Sequence, residues 1–162
     1  MNSTEIVFRE TVKPEDIETV RKIVVSTGFF YDFEIPVAVE LVEAAVEEGD
    51  ASGYYFLFAE VDGKTVSYSC YGPIDGTDGG YDLYWIVTHN DYRGQGIGKK
   101  ILDETHRVVK SKGARYIIAE TSSLAKYQPT RDFYEKNLYD KEGVIRDFYM
   151  VNDDKVIYVK RL

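Results

Sequence analysis

Eight residues, Arg93-Gly94-Gln95-Gly96-Ile97-Gly98-Lys99-Lys100, have the types and spacing to hold an anion. Glycine lets a backbone turn tightly and approach a ligand with no side chain in the way. The run follows a segment of strand character, Tyr81 to Thr88, and leads into one of helical periodicity. Its amides are therefore those of a first helical turn, unpaired within the helix and at the positive end of its dipole. Arg93, Lys99 and Lys100 add mobile positive charge. The group such a turn takes is a phosphate or pyrophosphate; the alternative is a glycine turn with a structural role only. Two common phosphate loops fail the spacing. A Walker A loop counted from Gly94 meets Lys99 where its next glycine belongs, and no Ser or Thr follows Lys100. A dinucleotide fingerprint also needs glycine where Lys99 stands, and it expects an early strand followed by an acidic residue.

Other residues could move protons or hold a cation. Tyr134 lies in Phe133-Tyr134-Glu135-Lys136-Asn137-Leu138-Tyr139, and Glu120 ends a short apolar segment, Arg115 to Thr121. Asp82 and Tyr84 alternate along the Tyr81–Thr88 segment. Phe30 and Asp32 sit in the aromatic and acidic stretch Phe29 to Glu34, which has neither helical nor strand periodicity. Such a stretch can box a cationic amine, partly by cation–π contact, or it can anchor a loop to the core. Asp147 and Tyr149 alternate near the C-terminus. His89 is expected in a loop and His106 on the exposed face of a helix, so neither builds a metal site. Cys70, the only cysteine, reads as buried filler and permits no intrachain disulfide.

The elements that would position these residues follow from periodicity and punctuation. Ile6 to Val12 alternates as a strand. Pro14, Glu15 and Asp16 open a helix with the apolar face Ile17, Val20, Val24, and Gly28 closes it. Pro36 begins a second helix whose stripe is Val37, Leu41, Val42, Ala45 and Val46, ending at Gly49. Tyr54–Val61 and Thr65–Tyr71 form a hairpin about Asp62-Gly63. After the Gly/Pro/Asp-rich loop Gly72–Gly80 come the strand Tyr81–Thr88, a helix marked by Ile97, Ile101, Leu102, Val108 and Val109, and the strand Arg115–Thr121. Strand, helix and strand in this order imply a right-handed parallel crossover. Pro129–Asn137 suits a short helix, and Val144–Val151 and Lys155–Lys160 are strands about the turn Asn152-Asp153-Asp154. The order β-α-α-β-β-β-α-β-α-β-β is that of a mixed α/β domain spanning residues 1–162.

Composition narrows the classes of function. A hydrophobic fraction of 44% and a charged fraction of 30% over 162 residues suit one folded domain. A net charge of −8 argues against nucleic acid and mildly favours a cationic partner. No apolar run approaches the ~20 residues that span a membrane. Met1 to Glu10 lacks the basic start and apolar stretch of a secretory leader, so a cytoplasmic setting is expected.

Taken together, the motifs resemble the GNAT superfamily of acetyltransferases. Arg93, Gly96 and Gly98 fit its R-x-x-G-x-G pyrophosphate loop. Leu83-Tyr84-Trp85-Ile86-Val87-Thr88 with Asp91-Tyr92-Arg93-Gly94 resembles its fourth strand and loop, and Phe133–Tyr139 its F-Y-x-K-x-G-F segment. The resemblance covers nearly the whole chain. It implies a single-domain α/β GNAT fold: a mixed, mostly antiparallel sheet with a parallel, splayed pair of fourth and fifth strands, flanked by helices. It implies acetyl-coenzyme A as acyl donor and an amine as acceptor, with no metal. Backbone groups of Ile86, Val87 and Thr88 would pair with the pantetheine arm. Arg93 and the amides from Gly94 through Gln95, Gly96, Ile97 and Gly98 to Lys99 would hold the pyrophosphate. Tyr134 would be the general acid that protonates the departing thiolate. Glu120 is the leading candidate for the base or a solvated strand end, with Asp82 and Tyr84 as alternatives. Phe30, Asp32, Asp82, Tyr84, Asp147 and Tyr149 would line the acceptor site. Relatives that pair through terminal strands make a homodimer an expectation.

Two departures stand out: Tyr127 occupies the position of a frequent cofactor-contacting Asn, and Leu138 replaces a glycine, so Asn137 is expected to supply the left-handed helix end. Competing readings are a GNAT-fold module that binds coenzyme A without turnover, and transfer of another acyl group or to a hydroxyl.

Overall fold

The computed structural model describes residues 5–162. The first four residues of the stretch Met1–Glu10 lie outside the described residues. In chain order the elements are β1 (Val7–Arg9), α1 (Asp16–Ser26), α2 (Glu34–Glu48), β2 (Tyr55–Val61), β3 (Lys64–Pro73), β4 (Gly80–Thr88), α3 (Ile97–Ser111), β5 (Tyr116–Ser122), α4 (Gln128–Lys136), β6 (Asp140–Met150) and β7 (Asp153–Arg161). The strands form one seven-stranded sheet in the order β1-β2-β3-β4-β5-β7-β6. The β4–β5 pair is parallel, and β1–β2, β2–β3, β5–β7 and β6–β7 are antiparallel.

The residues group into two units. The first contains the chain up to Gly72 together with Trp85–Arg107. Its core joins Val20, Ile23 and Val24 of α1 and Ala38, Val42 and Ala45 of α2 to Phe56, Phe58, Tyr68, Cys70 and Val87 on the strands. The hairpin expected at Asp62-Gly63 forms with Val61 opposite Lys64. Both turn residues have positive φ, 51° and 77°, which gives a two-residue turn the twist its strands need. A charge clamp fixes the first strand to the first helix. The Arg9 guanidinium donates to both oxygens of Asp16 at 2.8 Å and to Glu60 Oε1 at 2.7 Å, and the Lys13 amide donates to Asp16 Oδ2 at 2.7 Å.

The second unit contains Pro73–Tyr84 and Val108–Leu162. Its parallel ladder pairs Gly80 with Tyr116 through to Leu83 with Ala119 and ends there, while β5 continues to Ser122 along β7. Alternation along β5 puts the buried Ile117, Ala119 and Thr121 on one face and the exposed Glu120 on the other.

Several sequence expectations need correction. Strand β1 is only Val7–Arg9, and β6 begins at Asp140, where a bulge between Lys141 and Gly143 hides its alternation. The α2 stripe is rotated: Ala38, Val39, Val42 and Ala45 are buried, and Val37 is 45% exposed. His106 is buried, because α3 buries a broad stripe in which Leu102 and Val109 bracket it at helical spacing. The left-handed residue after α4 is Leu138, at φ 65°, not Asn137. The Asn137 side chain instead donates to the Phe133 carbonyl at 2.7 Å, and Tyr139 N–H returns to Tyr134 O at 3.0 Å.

Candidate active site

The glycine-rich turn lies where β4 has ended and α3 begins. Residues Asn90–Tyr92 form one 3₁₀ turn, started by His89, whose Nδ1 accepts from the Asp91 amide at 3.1 Å. Arg93 is extended and exposed. Gly94 and Gly96 then take φ of 75° and 77°, and a Cβ at either would meet nothing within 4 Å. The requirement for glycine here is therefore conformational, and the space beside the turn is open. Ile97 is buried and anchors the first turn of α3, leaving Gln95 exposed and Gly98 half-buried. Lys99 is drawn along the helix to Asp103, at 2.6 Å, and Lys100 is exposed. An open turn of amides at a helix N-terminus, with Arg93 beside it, fits a pyrophosphate.

The preceding strand supplies a backbone edge. The Val87 carbonyl accepts from Ser67 Oγ at 2.9 Å, and the His89 amide donates to Val66 O at 2.8 Å. Both residues thus face β3, and the two-residue period turns the backbone groups of Ile86 and Thr88 the other way. Of the three residues expected to meet a pantetheine arm, Val87 is already engaged. Phe30 packs against Trp85 with ring centroids 5.0 Å apart, so it anchors its loop, whereas Asp32 is exposed and Tyr31 stacks on the exposed Phe33 at 5.5 Å.

In the second unit, Tyr134 faces inward from α4 onto Tyr139 and Tyr158, at 5.2 and 5.8 Å between centroids. Burial pushes its phenol well above the ordinary range, so it keeps its proton at neutral pH. Tyr158 belongs to the face of β7 that carries Ala119 as its pairing partner, opposite to the face of Glu120. Tyr134 and Glu120 therefore flank the β5–β7 ladder from opposite sides. Asp82 pairs in register with Ile118, which brings it and Tyr84 to the Glu120 face.

On that face Glu120 is not a lone carboxylate. Lys155 Nζ lies 2.8 Å from its Oε2 and 3.8 Å from the centroid of the Phe148 ring. Asp82 is raised above the usual carboxylate range, by burial first and by the Glu120 charge second, with Lys155 opposing both. Asp147, expected to line the acceptor site, has φ 52° in an irregular stretch of β6. Its carboxylate accepts from the Asn152 amide at 2.8 Å, and its own amide donates to Asp154 at 2.9 Å, so it holds the turn. Tyr149 is exposed against Phe148, and Tyr127 is half-buried at the start of α4. Lys155 was missed in the sequence because only the β5–β7 register brings it to Glu120, and Phe148 because an irregular stretch of β6 brings it to Lys155.

The Acetyltransferase (GNAT) domain model matches residues 52–139, a span that includes the glycine turn and Tyr134. A GNAT-family chain of known structure from Desulfovibrio desulfuricans is 43% identical, with a TM-score of 0.94, over 97% of this chain and 99% of that one. The chain belongs to the GNAT family of acetyltransferases. As a GNAT chain it shares its fold with more distant structures. An aminoglycoside 6'-N-acetyltransferase complexed with coenzyme A is 18% identical at a TM-score of 0.73, over 96% of each chain. The ribosomal-protein-S18-alanine N-acetyltransferase of Escherichia coli is 14% identical at 0.74, over 97% of this chain and 94% of that one. A comparison with curated protein sequences finds no match. Among the described residues, no three His, Cys, Asp or Glu side chains converge as metal ligands, and no helix is long and apolar enough to cross a membrane.

Proposed function

We propose that this GNAT chain transfers the acetyl group of acetyl-coenzyme A directly to a primary amine, with residues 1–162 acting as one catalytic domain. The observation that carries the reading is the open turn at Gly94 and Gly96, with positive φ at both glycines, ahead of the α3 amides. In this reading the turn and Arg93 hold the pyrophosphate, and Ile86 and Thr88 offer the backbone edge to the pantetheine arm. The acceptor ammonium first loses a proton to a carboxylate. Its nitrogen then bonds to the acetyl carbon as the carbon–sulfur bond breaks. The thiolate, whose thiol has a pKa of ~8.5, takes a proton from Tyr134 Oη. The second nitrogen proton returns to the phenol through water, because Tyr134 and the carboxylates stand on opposite faces of the β5–β7 ladder.

Direct transfer is favoured over an acyl-cysteine route because Cys70 is buried among core side chains, and burial pushes its thiol well above the ordinary range. An amine acceptor fits the acidic face around Asp82 and Glu120, and the two named neighbours are both N-acetyltransferases. The test is thiol release from acetyl-coenzyme A with benzylamine, spermidine, an alanine-starting peptide and a serine-bearing alcohol. Release with at least one amine and none with the alcohol is expected. Binding without release for every acceptor would favour a non-catalytic module, and release with the alcohol alone would overturn the amine assignment.

A further inference from the structure

We propose that Lys155 is a positioning residue of the acceptor side: it holds Glu120 as a fixed ion-pair partner across β5 and β7, which leaves Asp82 to accept the proton of the amine. This assignment rests on the acetyl-transfer reading above and goes beyond it in dividing the work of the two carboxylates.

Geometry carries the division. Lys155 stands opposite Ser122 on β7, and Glu120 lies two residues before Ser122, so both side chains leave the same face. The ammonium is better covered than its partner, with side chains 15% and 42% exposed for Lys155 and Glu120. It is held from two directions, by a carboxylate oxygen at 2.8 Å and by the face of Phe148 at 3.8 Å. Lys155 also pairs with Ile145 on its other side, so its backbone is fixed by strands on both edges. Among the described residues Asp82 enters no ion pair, and the charged groups acting on it are Glu120 from β5 and Lys155 from β7.

Asp82, Glu120 and Lys155 together carry one net negative charge, which matches one ammonium on the acceptor. A free base should titrate nearer the working pH than a paired one, and the upward displacement of Asp82 agrees with that division. The proton balance is simple: the acceptor R–NH₃⁺ and the Asp82 carboxylate become R–NH₂ and the carboxylic acid, which then releases the proton to water.

The first test needs no acceptor. Carbon-detected NMR titration of the full chain should show Asp82 moving upward by about one unit in Lys155→Met, the effect of losing a nearby opposite charge. Asp82 should stay in place in Lys155→Arg, and move downward in Glu120→Gln, which removes the repelling charge and frees Lys155. An Asp82 titration unchanged in a folded Lys155→Met, or in Glu120→Gln, would overturn the proposal.

The second test is kinetic. The acid-side limb of kcat/KM for benzylamine should follow the Asp82 titration in each variant, and Lys155→Met should shift preference toward spermidine by roughly threefold. A limb that ignores the Asp82 shift would also overturn it. If wild-type protein turns over no amine, the acetyl-transfer reading falls, while the titration still decides whether Lys155 governs Asp82.

Discussion

The glycine turn before α3 and the acidic face of β4, β5 and β7 are built by opposite means. The turn is made of backbone: two glycines at positive φ, a helix start and one exposed arginine, all contiguous from Arg93 to Gly98. The acidic face is made of side chains from three strands, Asp82, Glu120 and Lys155, separated by more than thirty residues at each step and aligned only by register. A backbone site needs a particular chain conformation and tolerates few residues. A side-chain site depends on which groups pair and which stays free, so changing one member alters the titration of another.

Substitution should expose that contrast. The largest effect is expected at the turn: Gly96→Glu forces a side chain into a left-handed conformation and sets a negative charge at the positive helix end. Calorimetry should show a loss of acetyl-coenzyme A affinity of about 100-fold or more, whereas Gly96→Ala, carrying strain alone, should lose roughly tenfold. Equal behaviour of the two would mean that no anion meets the turn.

Next in size, Tyr134→Phe should lower kcat by about 100-fold while leaving affinity for acetyl-coenzyme A unchanged, as measured by thiol release beside calorimetry. Asp82→Asn should lower kcat/KM roughly 30-fold at neutral pH. In wild type the rate should fall as pH drops through the raised Asp82 titration, because the base is then protonated, and the variant should lose that limb.

The same group yields a stability test. The folded chain binds the Asp82 proton more tightly than the unfolded chain does. Stability should therefore fall as pH rises from the ordinary carboxylate range through the raised one. Asp82→Asn should raise Tm slightly at pH 7 and leave it unchanged in strong acid, as followed by calorimetric melting.

The smallest effect concerns no chemistry. Leu138 sits at φ 65° and is exposed, so Leu138→Gly should stabilise the chain by about 1 kcal/mol in urea unfolding with kinetics unchanged.

How far the sequence could be read follows from the same contrast. The turn, the hairpin at Asp62-Gly63 and the order of elements were legible because glycine placement and local periodicity carry them. Tyr134 was legible only through its motif, since no pattern in the chain itself distinguishes it among 14 tyrosines. The acceptor face was legible as residue types but not as partners. Lys155 follows an Asn-Asp-Asp run at the start of β7 and gives no local sign that its ammonium reaches Glu120. Asp147 looked like a lining residue because a bulged strand conceals that its carboxylate closes a turn. His106 looked exposed because the α3 stripe is wider than a simple two-position repeat.

The most direct test of the central claim is a calorimetric titration of acetyl-coenzyme A into the full chain. Saturable binding of one equivalent per chain is expected, weakened when salt screens the pyrophosphate contact. No heat of binding at millimolar cofactor would contradict the account, leaving the Arg93–Gly98 turn a structural feature and the acidic face without a reaction to serve.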